Sequence, residues 1–144
     1  MANYRARVSG PLLDRFEVQV EVPPLPVSEL RSDQGGEPSA TVAVRTARAR
    51  ALQEERFRGT GVSTNAALPP ALLRRHAGLD DASRSMLARA ITHLGLSARA
   101  HDGILRVART IADLQGCAQV ERAHLDEAAR FRAPVDRSAR REAV

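Results

Sequence analysis

Apolar residues between positions 97 and 115 recur at spacings of three and four: Ile104, Val107, Ala108, Ile111 and Leu114. That period places them on one face of a helix of about five turns. Arg99, Asp102, Arg106, Arg109 and Asp113 step along a second face, which reads as charged and turned to solvent. Asp102 with Arg106, and Arg109 with Asp113, are i,i+4 pairs of opposite charge, each worth roughly a few tenths of a kcal/mol on an exposed helix. Ser97 suits the N-cap, and Gly116 suits the stop just past the last periodic residue. The rest of the chain reads as organised around this helix. Two roles fit it: a scaffold piece with a solvated arginine face, or a mount that presents Arg99, on its first turn, to something anionic.

The pattern on either side is also helical. Ser39 is expected to cap a helix reaching about residue 57, with Val42, Ala49, Leu52 and Phe57 facing inward. Arginines at 45, 48, 50, 56 and 58 surround that helix, and Gly59-Thr60-Gly61 ends it. Pro69 and Pro70 open a short helix over 71–76, since proline is tolerated in a first turn. Asp80 or Asp81 caps a third helix, whose Met86, Leu87, Ala90, Ile91 and Leu94 form a stripe stopping at Gly95. A last helix, about 121–131, carries Leu125, Ala128, Ala129 and Phe131 at looser spacing. Loops this short place successive helices side by side. The expected core centres on Leu87, Ile91, Ile104, Ile111 and Leu125.

The first forty residues differ. Val18, Val20 and Val22 alternate with Glu17, Gln19 and Glu21, which is the period of a strand. A single strand needs partners for its ladder and for its valine face, and no second strand pattern follows downstream. The strand therefore belongs to something larger, or pairs with another copy. Residues 23–39, dense in Pro, Gly and Ser, read as a linker. The expected organisation is residues 1–38 as the poorly packed or disordered end of a larger unit, 39–132 as a helical domain, and 133–144 as a disordered tail. The fold class is mainly α: a helical bundle preceded by an orphaned β-strand segment and linker.

Composition changes this picture in two places. At 144 residues the chain can build one real core, and 43% hydrophobic with only 3% aromatic content means that core is Leu, Val, Ile and Ala. A net charge of +5 points toward an anionic partner, but all 22 basic residues are arginine. Lysine is also a good phosphate binder, so its absence reads as codon bias rather than selection for phosphate contacts.

Chemistry is sparse. Cys117 stands alone, which excludes a disulfide framework within one chain. His76, His93, His101 and His124 show no metal-ligand spacing, although His124 and Glu127, three apart, could share a metal ion. No G-x-S-x-G elbow occurs, and without lysine there is no phosphate-cradling P-loop. No run has signal-peptide or membrane-span length, so a cytoplasmic protein with no membrane partner is expected.

Two segments carry a family resemblance. Residues 9–18, S-G-P-L-L-D-R-F-E-V, and residues 96–116, L-S-A-R-A-H-D-G-I-L-R-V-A-R-T-I-A-D-L-Q-G, occur in the order seen in magnesium-chelatase-like AAA+ ATPases. The chain resembles the C-terminal part of that group, in particular its competence-related, YifB/ComM-type members, from about residue 4 to residue 132. The resemblance implies a helical lid. It implies that Arg15 is an arginine finger reaching the nucleotide of a neighbouring subunit, with Asp14 as the acidic residue beside it. Arg99 would be the second sensor, contacting the nucleotide's terminal phosphate. ATP and Mg2+ are implied for the intact parent and neither for this fragment, which lacks the Walker motifs and the first sensor and is not expected to hydrolyse ATP alone. The implied partners are the other subunits of a homo-oligomeric ring, and DNA through the parent protein. A rival reading is an arginine-rich helical nucleic-acid-binding module, disfavoured by scarce aromatics and the lack of a groove-reading motif.

Overall fold

A computed structural model describes residues 12, 15–26, 35–94 and 96–132, with the side chains of residues 93 and 94 outside the description. Among the described residues five α-helices follow one another: α1 Ser39–Arg56, α2 Pro70–Ala77, α3 Asp81–Leu94, α4 Ala98–Gln115 and α5 Arg122–Arg130. A 3-10 turn, Asn65–Ala67, lies between α1 and α2. The central element is α4: each of the other four helices and the 3-10 turn packs against it. Its interior positions Ala100, Gly103, Ile104, Leu105, Ala108, Ile111 and Ala112 are all buried. The mainly α bundle read from the sequence is the observed architecture.

Local chemistry explains the helix ends. The Ser97 hydroxyl accepts from the Ala100 N–H at 3.2 Å, satisfying one of the orphan donors of the first turn of α4. At the other end Gly116 takes φ 74°, the left-handed conformation that lets the chain turn back over the last carbonyls. Asp80, not Asp81, caps α3: its Oδ1 accepts from the Ser83 N–H at 2.7 Å, and this bond holds the Asp80 carboxyl below the usual range. For α1 the expected cap is corrected. Ser39 is already the first helical residue, and Pro38 occupies the N-cap with no side-chain bond.

Two apolar assignments are also corrected. Leu52 is 38% exposed and Leu114 is 40% exposed. On α1 the row that meets α4 is Ala49, Gln53 and Phe57, one position round from Leu52, so a polar glutamine is buried and the leucine is not. Leu87, Ile104, Ile111 and Leu125 lie in the core as expected, while Ile91 packs against it only partly buried. Phe57 closes the far side, its ring edge-on to His76 with centroids 5.3 Å apart. Ile104 has no exposed surface. Ile104→Ala is expected to destabilise the fold by about 2–5 kcal/mol in thermal or denaturant unfolding. A change within about 0.5 kcal/mol, as for a surface position, would place that face elsewhere.

Residues 17–22 form no ladder with any described residue, and Val18, Val20 and Val22 are exposed. The start of this stretch nevertheless touches the bundle across the boundary expected at residue 38. The Gln19 N–H donates to the Phe131 carbonyl at 2.9 Å. The tail from 133 and the middle of the linker, 27–34, lie outside the described residues.

Candidate functional site

The charged face of α4 divides into groups that hold the fold and a group left to solvent. Arg109 and Asp113, read as an exposed pair, are each 1% exposed. This corrects the solvated-face reading. Arg109 Nε and Nη2 donate to Asp113 Oδ1 at 3.1 and 2.8 Å. Arg109 also donates to the carbonyls of Ala118 at 2.9 Å and Cys117 at 2.6 Å, stitching the loop after α4 back onto the helix. The Asp113 carboxylate is reached from far away in sequence as well. Arg56 at the end of α1 grips it bidentately at 2.9 and 2.5 Å, and Asn65 Nδ2 donates at 2.8 Å.

Burial opposes ionisation of Asp113, but hydrogen bonds from Arg56 and Asn65 and the charges of Arg109 and Arg56 outweigh it and hold the carboxyl below its ordinary value. Burial pulls Arg109 down, against the opposing pull of Asp113, while guanidinium groups stay charged at any working pH. Burial, with help from Arg56, Arg75 and Arg109, also lowers His76. The consequence for stability has one sign. Of these three, Asp113 and His76 titrate in the acid range and bind protons more readily in the unfolded chain, so stability falls as pH falls. The decline should begin shallowly below about pH 6.5 through His76 and steepen below about pH 4 through Asp113. Unfolding free energy followed from pH 8 to pH 3 tests this, and a rise on acidification would contradict it.

Asp102 and Arg106 do not bond to each other as expected. Asp102 Oδ1 lies 3.0 Å from His101 Nδ1. Arg106 reaches in two other directions, donating to the Leu68 carbonyl at 3.0 Å and to Glu17 Oε1 at 3.3 Å. The reason is reach: a guanidinium on the half-buried edge of α4 finds acceptors on neighbouring elements before it finds its own helix. Both ring nitrogens of His124 are engaged in hydrogen bonds. Its Nδ1 accepts from the Glu121 N–H at 2.8 Å, which caps α5, and its Nε2 faces Gln115 Oε1 at the end of α4 at 2.9 Å. Among the described residues no group of three or more His, Cys, Asp or Glu is placed to hold a metal ion.

Arg99 differs from these arginines. It lies on the first turn of α4, exposed, and makes no ion pair with a described residue. The N-terminal end of a helix carries the positive end of its dipole, so an anion approaching Arg99 meets both charges together. Arg15 is likewise exposed, in a turn whose N–H donates to the Leu12 carbonyl at 3.0 Å. Asp14 lies outside the described residues. Arg15 and Arg99 do not touch each other, but their segments do meet: Glu17, two residues after Arg15, pairs with Arg106, two turns after Arg99 on α4. Sequence periodicity gave no sign of that meeting, because Glu17 read only as a polar position of a strand.

The fold is thus a helical bundle built on one central helix, with Arg99 exposed on that helix's first turn. The family described as magnesium chelatase, subunit ChlI C-terminal, matches residues 36–132, and the chain belongs to it. It is 43% identical over 133 residues to the competence protein ComM of Haemophilus influenzae, covering 92% of this chain and 25% of that protein. It is 40% identical over 136 residues to the YifB protein of Salmonella typhimurium, covering 93% of this chain and 26% of that protein. The chain is a C-terminal part of the ComM/YifB type of magnesium-chelatase-like protein and spans about a quarter of the length of these relatives. Among the described residues no helix is long and apolar enough to cross a membrane.

Proposed function

We propose that this chain is the lid-bearing C-terminal part of a cytoplasmic AAA+ ATPase that works as a ring, with Arg99 as the second sensor and Arg15 as the arginine finger. The observation that carries the reading is Arg99: an exposed arginine with no ion pair to a described residue, fixed at the N-terminal end of the helix on which the other described helices pack. A planar, always-charged guanidinium suits phosphate oxygens, and a rigid mount keeps it in register with them. Arg99 closes onto the terminal phosphate of the nucleotide in its own subunit. Arg15 is lent to the nucleotide of the next subunit, where it steadies charge that develops during phosphoryl transfer. The two arginines fit a bound ATP. The acidic residues described here are not grouped to hold Mg2+, which belongs with the rest of the nucleotide site elsewhere in the whole protein. The other subunits of the ring are the partners, and DNA is reached through the whole protein.

Head-to-tail contacts in a closed ring make the test direct. Rings of the whole protein made only of Arg15→Ala subunits should lose hydrolysis and keep nucleotide binding. Mixing them with subunits defective in the phosphate-cradling motif should restore part of the activity, because each defect spoils a different site. Full activity from Arg15→Ala rings alone would remove the finger from this reading.

A further inference from the structure

We propose that Glu17, Gly103, Arg106 and Arg132 form a joint that locks the Arg15 segment to α4, so that the lid of one subunit and the finger it lends to its neighbour move as one piece. This rests on the function proposed for Arg15 and Arg99.

The segment is held by bonds to two separate lid elements. From α4, Arg106 Nη1 donates to Glu17 Oε1 at 3.3 Å. From the residues ending α5, Arg132 Nη1 donates to the Phe16 carbonyl at 3.2 Å, and the Phe131 carbonyl accepts from the Gln19 N–H at 2.9 Å. Arg106 is held on its other side as well, since its Nη2 donates to the Leu68 carbonyl at 3.0 Å.

Gly103 supplies an independent observation. Glycine inside a helix is unfavourable relative to alanine, and Gly103 has no positive φ to explain its presence. What its missing side chain provides is room. A Cβ there would stand 3.0 Å from Arg132 Nη1, which bonds the segment, and 3.4 Å from Cγ of Glu17, the segment's own side chain. The helix forgoes a better helix former at the point where the segment crosses it.

Distances make the joint short. Arg15 is two residues from Glu17, about 7 Å of extended chain, and Arg99 is seven residues from Arg106, about 10 Å along the helix axis. A tilt of α4 as Arg99 engages phosphate therefore carries the finger with it, and the state of one nucleotide site sets the position of the group sent to the next. That is a coupling between two distinct sites through a contiguous set of contacts.

The test uses Gly103→Val, Gly103→Ala and Glu17→Gln. In this chain, Gly103→Val should speed amide exchange at Gln19 about ten-fold or more while the Ile111 amide keeps its protection, as a local opening does. Gly103→Ala should act in the same direction but less, since its methyl group crowds only the far end of the Arg132 side chain and meets Glu17 at ordinary contact distance. In the whole protein each variant should lower kcat, leave nucleotide affinity within about two-fold, and bring the Hill coefficient for ATP toward one, because the coupling is lost while each site persists. Unchanged exchange at Gln19 in all three variants would overturn the joint. Faster exchange with wild-type kcat and cooperativity would overturn the coupling. Arg15→Ala separates the two levels: a fully active Arg15→Ala ring overturns the functional reading, whereas an inactive one beside wild-type-like Gly103 variants overturns the joint alone.

Discussion

Asp113→Asn is expected to destabilise the fold by about 3–5 kcal/mol. The carboxylate accepts five hydrogen bonds, two from Arg56, two from Arg109 and one from Asn65. Removing its charge strands the Arg109 guanidinium, 1% exposed, with only carbonyl partners. Burying an unpaired charge is costly, and small domains have only about 5–15 kcal/mol in total. The exposed pair of Glu37 and Arg45 is a control of similar geometry, at 2.9 and 3.0 Å. Glu37→Gln should change stability by less than about 1 kcal/mol, because water screens and replaces an exposed pair. Replacing Arg109 and Asp113 together by apolar residues should be milder than Asp113→Asn alone, since nothing charged is left behind. Urea unfolding of the three variants decides the matter. A loss below about 1 kcal/mol for Asp113→Asn would mean that water reaches the cluster.

Arg15→Ala in the whole protein is expected to lower hydrolysis by roughly 10³–10⁵-fold, the range spanned by fingers supplied in trans. Loss on that scale comes from charge that appears only in the transition state, so nucleotide affinity should change little. Arg15→Lys sharpens the prediction. Lysine keeps the charge but not the planar fork, and it should recover only a small part of the rate. A lysine variant near wild-type activity would mean that Arg15 acts as a simple cation. An alanine variant near wild-type activity would return Arg15 to a surface role.

Much of the bundle was legible because its information is local. The apolar spacing of α4, the Ser97 cap, the Gly116 stop and the prolines opening α2 all act within one or two turns. On α1, Ala49 and Phe57 are buried as expected, and Leu52 was misassigned because it looked more apolar than Gln53. Hydropathy says nothing about Gln53 having Asn65 to bond: its Oε1 accepts from the Asn65 N–H at 3.2 Å. The pair Arg109 and Asp113 was misread for a related reason. Opposite charges at i,i+4 look identical on a solvated face and in a core, and what distinguishes them here are Arg56 and Asn65, 57 and 48 residues away. Arginine is the extreme case. A sequence with 22 of them gives no sign of which are structural and which are free. Arg56, Arg106, Arg109 and Arg132 are engaged by the fold, and the segment resemblance, not the spacing, singled out Arg15 and Arg99.

The dependence of every helix on α4 also sets an order of events at the ribosome. Helix α1 ends at Arg56 and α4 ends at Gln115, 59 residues later. At about 5–20 residues per second that interval lasts roughly 3–12 s. Over that interval α2 and α3 are added to α1, but the three helices have no common surface to close on, and Phe57, Leu73 and Leu87 lack their cover. The bundle therefore cannot close while the chain is being made until one late helix has emerged.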